Sequence, residues 1–263
     1  EFFQILRRLK EQGKTIILIT HKLEEVLEIS DSVTVMRHGK KVGDLPTSEA
    51  TAEILANMMV GREVLLRVEK RPVDPGQVVL KVENLNVDIG EKSKLKNVSF
   101  EIREGEILGI AGVEGNGQTE LIEALTGLQT PTSGKVTYLG EEVTTRSARK
   151  MREESTGHIP ANRKAHGFLT TYSNADNQIL GFHHLSPFCH KNGFLNFKAV
   201  KENALNLVEK YDIRPRDIEL PTGSLSGGNQ QKLIVSREFD REPKLLIIAQ
   251  PTRGIDIGAI EFI

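Results

Sequence analysis

Between the apolar run Ile107–Ala111 and a helical pattern starting near Thr119 lies Gly112-Val113-Glu114-Gly115-Asn116-Gly117-Gln118-Thr119. Three glycines in six positions let a chain turn with its N–H groups facing inward, as an anion held at a helix start requires. A strand, a glycine loop and then a helix is an α/β arrangement, which restricts the fold more than any other segment here. The usual phosphate-binding pattern is Gly, four residues, Gly, Lys, then Ser or Thr. Thr119 fits the last place and Gln118 stands where the Lys belongs. Losing one ammonium ~4 Å from a phosphate, at an effective dielectric of ~20, removes on the order of 4 kcal/mol before solvent compensates.

Two further segments follow in order. Leu225-Ser226-Gly227-Gly228-Asn229-Gln230-Gln231-Lys232 reads as a helix start opened by Ser226, Gly227 and Gly228, whose first N–H groups have no partner inside the helix. Leu245–Ile248 is a buried-strand pattern running into Ala249-Gln250-Pro251-Thr252-Arg253-Gly254-Ile255-Asp256.

Together the loop, the Ser-Gly-Gly helix start, the apolar strand and Asp256 resemble the P-loop, signature, Walker B and D-loop of ABC-type ATPases. The resemblance implies an α/β fold: a P-loop cassette with a mainly parallel core sheet, an antiparallel β subdomain and a helical subdomain around Asn177–Thr222. Its cofactors would be ATP and Mg2+, with Gly112, Gly115, Asn116, Gly117 and Gln118 around phosphate and the Thr119 hydroxyl weakly on Mg2+. Family members that hydrolyse ATP carry Asp and Glu where this chain has Ala249 and Gln250. No glutamine stands in His158-Ile159-Pro160-Ala161-Asn162-Arg163, and no aromatic ring lies between Val78 and Ser99. The site is therefore expected to be degenerate. Leu225, Ser226, Gly227, Gly228, Asn229 and Gln230 would instead serve the γ-phosphate of a partner cassette's site, since cassettes pair head to tail in this family.

The first block resembles the end of another cassette. An apolar strand Thr15–Thr20 would deliver His21 as that cassette's switch histidine, its catalytic contact to the γ-phosphate. A short helix, a hairpin turned at Arg37-His38-Gly39-Lys40 and a helix around Glu49–Met59 follow. The expected organisation is 1–62 as the rear of a first cassette, 63–77 as a breaker-rich linker, and 78–263 as a second cassette ending before its own switch histidine. One consequence is an expectation that residues 1–44 dock on the 78–263 sheet, with strand Thr15–Thr20 filling an open edge and His21 facing Gly112–Thr119. The alternative is two loosely tethered pieces.

The resemblance is to the ATP-binding subunit of bacterial importers with two fused cassettes, the simple-sugar and nucleoside type. Ala249–Gly254 and Gly193-Phe194-Leu195-Asn196-Phe197 favour the nucleoside branch. It implies permease subunits and, indirectly, a substrate-binding lipoprotein as partners, at the cytoplasmic face of the bacterial membrane. Two readings compete: a non-catalytic nucleotide-binding regulatory module, and a tandem ABC ATPase of translation.

Bulk properties fit. A net charge of −1 gives no electrostatic reason to expect nucleic acid, and the apolar runs are too short to span a bilayer. A single Cys189 excludes an intrachain disulfide framework and suits a reducing compartment. His183, His184, Cys189 and His190 cluster within eight residues. They have no second ligand pair at zinc spacing, so a solvated polar loop is the expectation.

Overall fold

The computed structural model describes residues 2–37, 39–64 and 73–263. His38, in the expected hairpin turn, and residues 65–72 of the expected linker lie outside them. The chain packs as two compact units, one from the described residues of 1–70 with Gly254–Ile263, the other from those of Arg71–Arg253.

The first unit starts with α1 (Phe2–Glu11), which is amphipathic and buries no residue completely. Arg7 pairs with Glu28, and Lys10 Nζ meets Asp31 Oδ1 at 2.5 Å, linking α1 to α2 (Leu23–Ile29) and its end. The hairpin forms as expected and runs longer. β1 (Ser32–Arg37) pairs antiparallel with β2 (Lys40–Pro46) from Ser32↔Pro46 to Arg37↔Lys40. α3 (Ala52–Val60) begins where the Thr51 side chain accepts from Ile54 N at 3.2 Å, and ends at Gly61 with φ +88°. That pairing of cap and left-handed glycine sets both helix ends. Val33, Val35 and Leu55 form its core with Leu23, Val26 and Leu27 against them. A second cluster joins Ala56 and Val64 to Ile257 of α9 (Ile257–Phe262), and Arg62 Nη1 donates to Glu261 at 2.9 Å.

The second unit is built on an antiparallel sheet of order β4-β3-β5-β6, made from β3 (Val78–Ile89), β4 (Lys92–Arg103), β5 (Ser133–Tyr138) and β6 (Glu141–Glu142). Alternate residues Leu80 and Val82 of β3 pair with Ile102 and Phe100 on one side, and with Tyr138 and Val136 on the other. This period-two apolar face packs against α4 (Gln118–Leu125) through Leu121 and Leu125. Each such side chain contributes roughly 1.5–3 kcal/mol when fully buried. α5 (Ala148–Glu153), capped by Ser147, leads into β7 (Thr156–Ile159). The helical part holds α6 (Asn174–Gln178), α7 (Phe197–Lys210) and α8 (Gly227–Phe239). Val200, Ala204, Leu207 and Val208 give α7 its buried stripe at helical spacing. β8 (Leu245–Ile248) lies parallel to β7, from Thr156↔Leu245 to Ile159↔Ile248.

The sheet differs from expectation. Among the described residues, the parallel part of the core is β7–β8 alone rather than a larger parallel sheet. Neither Thr15–Thr20 nor Ile107–Ala111 is a strand. Both are apolar enough, yet Ile17, Ile19 and Ile107 are 88%, 93% and 82% exposed. A strand exists only through a neighbour's hydrogen bonds, and among the described residues neither segment has one. Among the described residues Thr15–Thr20 belongs to no sheet, so its expected role as a strand is corrected. Among the described residues no helix is long and apolar enough to cross a membrane.

Candidate nucleotide site

The glycine loop turns as its composition requires. Gly115 and Gly117 have φ of +91° and +97°, and Asn116 N donates to Val113 O at 3.2 Å. Gly117 is the N-cap of α4, so Gln118 and Thr119 sit in its first turn with Thr119 exposed. At Gly117 a Cβ would lie 2.7 Å from Lys94 O and 2.8 Å from Leu95 Cδ2. Glycine is needed there for space as well as for φ. Gln118 folds back over the loop: its Nε2 donates to Val113 O at 3.1 Å and would lie 2.3 Å from a Cβ at Gly112. The backbone thus suits a phosphate, while the side chain that should bring positive charge brings a neutral amide turned onto the loop itself.

At the end of β8, Ala249 is buried, and its N–H donates to Ile159 O at 2.9 Å. Gln250 is exposed with φ +44°, and its Oε1 accepts from Arg253 Nη1 at 3.3 Å. A methyl group and a neutral amide supply neither a carboxylate for Mg2+ nor a base. The residues present therefore fit the phosphate part of a nucleotide but not the metal. β7, beside β8, leads to Asn162, whose side chain accepts from Ala165 N at 3.2 Å and caps the wide turn Arg163–Gly167.

The signature segment is more completely built. Ser226 caps α8, its Oγ accepting from Asn229 N at 3.4 Å and from Asn229 Nδ2 at 2.9 Å. Asn229 Oδ1 accepts from Arg214 N at 2.8 Å, which fixes the orientation of that amide. With Oγ accepting twice, the exposed Ser226 hydroxyl is left to donate outward beside the N–H groups of Gly227 and Gly228, the helix's unsatisfied donors. Buried Gln230 donates from Nε2 to Leu225 O at 3.0 Å. At the D-loop position, the Asp256 side chain accepts from Ala259 N at 2.9 Å and caps α9 in the first unit. His21 is exposed in that unit, beside Thr20, whose Oγ1 donates to Glu25 Oε2 at 2.8 Å.

Sequence reasoning missed a buried polar network under the signature helix. Arg237 and Glu238 of α8 are buried, Arg152 Nη2 reaches Glu238 Oε1 at 2.9 Å, and His158 N donates to Glu238 Oε2 at 3.3 Å. Burial pushes the Glu238 carboxyl up, but the Arg237 and Arg152 charges outweigh it and hold its pKa below the usual carboxylate range. Arg237 Nη1 donates to Asn177 O at 3.0 Å. The Asn177 side chain bonds Leu169 N and O, and its Nδ2 donates to Thr222 Oγ1 at 2.9 Å, just before the signature. Polar residues on an otherwise apolar helix stripe were the available signal. The His and Cys cluster makes local contacts instead: His184 Nε2 meets Glu153 Oε1 at 3.0 Å and Cys189 Sγ donates to His190 O at 3.4 Å.

The sequence model of the ABC transporter family matches residues 95–253, more than half of the chain. The nucleoside import ATP-binding protein NupA of Lactococcus lactis is 43% identical over 264 residues, covering 100% of this chain and 52% of its own length. The guanosine import ATP-binding protein NupO of Bacillus subtilis is 44% identical, with the same 100% and 52% coverage. A putative ribose/galactose/methyl galactoside import ATP-binding protein of Geobacillus kaustophilus is 38% identical, covering 98% of this chain and 50% of that protein. The chain spans about half the length of the curated relatives it matches. Among solved structures, a dimeric ATP-binding cassette in a post-hydrolysis state with ADP and phosphate superposes with a TM-score of 0.58 at 24% identity, over 70% of this chain and 78% of the other. A nucleotide-free cassette gives 0.56 at 20% identity, over 70% and 73%. By its glycine loop, its capped signature helix and these matches, the chain belongs to the ABC transporter family.

Proposed function

We propose that this chain is part of the ATP-binding, energy-coupling subunit of an importer for nucleosides or simple sugars. Its own P-loop and Walker B segment form a degenerate site, and its signature completes a different ATP site on a paired cassette. The observation that carries this is the contrast within one unit: Ser226 is set by Asn229 and Asn229 by Arg214, whereas Ala249 and Gln250 supply no acid. Relatives named for nucleoside, guanosine and sugar import support the substrate class.

In this reading residues 1–62 derive from the first cassette and 78–263 from the second, with His21 as the first cassette's switch histidine. ATP and Mg2+ would be held by that first cassette's loop and acids, and Ser226, Gly227 and Gly228 would meet the γ-phosphate. Permease subunits and, through them, a substrate-binding lipoprotein are the partners, at the cytoplasmic face of the membrane. The fold of Gln118 onto Val113 O favours a second reading for this half: a nucleotide-binding module that never turns ATP over.

Steady-state phosphate release by the purified chain tests the degenerate site. Release at background supports it, and sustained turnover with Mg-ATP removes it.

A further inference from the structure

The signature helix starts on two consecutive glycines, which lose more backbone freedom on folding than other residues. Its first turn must therefore be held from outside. Asn229 is anchored by Arg214 N. Gln230, the next residue, braces Leu225 O through Nε2 and is itself held by Arg163, whose Nε donates to Gln230 Oε1 at 3.3 Å.

Arg163 reaches a second element at the same time. Its Nη1 donates to the backbone carbonyl of Arg253 at 2.7 Å. Arg253 is tied to Gln250 twice, by N→O at 3.0 Å and by Nη1→Oε1 at 3.3 Å. Gly167 lets the turn carrying Arg163 lie against α8, since a Cβ there would sit 2.5 Å from Ile234 Cδ1.

We infer that Arg163 is a positioning residue for the signature: it fixes Gln230, and through it Leu225 and the Ser226–Gly228 start of α8, to the segment Gln250–Arg253. This gives the acid-free segment a mechanical role in which the Arg253 backbone carbonyl suffices. The consequence for catalysis rests on the composite-site reading above.

Two measurements test it. In the purified chain, Arg163→Ala is expected to speed amide exchange at Asn229 and Gln230, whose N–H groups bond Ser226 Oγ and Ser226 O, by about tenfold, leaving β3 and β5 unchanged. Arg163→Lys, which keeps one donor group, falls between. Unchanged exchange at α8, or a uniform rise that includes β3, overturns the inference. In the full-length transporter, Arg163→Ala is expected to lower kcat for ATP by about tenfold with KM within about twofold, and adding Gln230→Ala should cost little more. Ser226→Arg separates the two levels. If it leaves hydrolysis intact, the composite-site reading fails whatever Arg163 does. If it abolishes hydrolysis while Arg163→Ala leaves kcat unchanged, or the Arg163 and Gln230 losses simply add, the positioning role fails.

Discussion

Arg237 Nε donates to the carboxylate of its chain neighbour Glu238 at 2.9 Å, and both side chains are buried. Adjacent helix residues do not normally face each other. Here the long Arg237 side chain turns back to Glu238, which also receives Arg152 and the N–H of His158. One carboxylate thus ties α8 to α5 and β7, the strand paired with β8. Burial draws the Arg237 pKa down, and the Glu238 charge opposes that shift.

Removing the shared carboxylate should be costly. Glu238→Ala leaves two guanidinium groups without their common partner, one of them fully buried, and is expected to lose roughly 3–5 kcal/mol. Glu238→Gln keeps the shape and one acceptor, so it should lose less. Urea unfolding of the three proteins checks the order; equal stability of Glu238→Ala and the parent would show that the network is not structural.

His158 should make the fold acid-sensitive. Burial lowers its pKa from 6.5 to about 4, with the Glu238 charge only partly opposing, and among the described residues its buried Nε2 has no hydrogen-bond partner. The unfolded chain then binds the extra proton between those two values. The stability difference is fully kept above pH 6.5 and lost as pH falls toward 4, about 3 kcal/mol at most over the window. Unfolding free energies at pH 7 and pH 5 should differ by on the order of 1–2 kcal/mol, and His158→Gln should flatten that slope. An unchanged slope in the variant would assign the sensitivity elsewhere.

Gly117 should tolerate no side chain. Its φ of +97° disfavours any other residue, and a Cβ would meet the Lys94 carbonyl. Gly117→Ala is expected to cost about 1–3 kcal/mol. Gly115 has a similar φ but open space around it, so Gly115→Ala should cost less. Thermal melts of the pair would contradict this if the order reversed.

Gln118→Lys should restore charge without restoring chemistry. Nucleotide affinity is expected to rise about tenfold or more, since an ammonium would face the phosphates. Turnover should stay at background, because Ala249 and Gln250 still supply no carboxylate. Fluorescent-nucleotide titration and phosphate release read the two halves separately; turnover in the variant would locate a base elsewhere.

The parts legible in the sequence were those set by neighbours a few residues apart. The helix start at Ser226–Gly228, the β1–β2 hairpin around Gly39 and the loop from Gly112 to Thr119 depend on local conformation and local hydrogen bonds. Thr15–Thr20 and Ile107–Ala111 misled for the complementary reason. Their apolar composition is that of a buried strand, but pairing is supplied by other segments and is not written in the run itself. The contacts of Arg163 to Gln230, of Arg152 to Glu238 and of Asn177 to Thr222 join residues 67, 86 and 45 positions apart. No spacing rule reaches that far. Arg163 lay in a segment read only for the glutamine it lacks.

Under the proposed composite-site reading, the asymmetry between the capped start of α8 and the acid-free segment after β8 is tested most directly by comparing two variants of the full-length protein in one ATPase assay. Ser226→Arg places bulk at the capped start of α8, and is expected to reduce hydrolysis to background, at least about a hundredfold. Gln250→Ala removes a neutral side chain from a segment without acids, and is expected to stay within about threefold of the parent. Equal losses from the two changes, or a silent Ser226→Arg, would contradict the account.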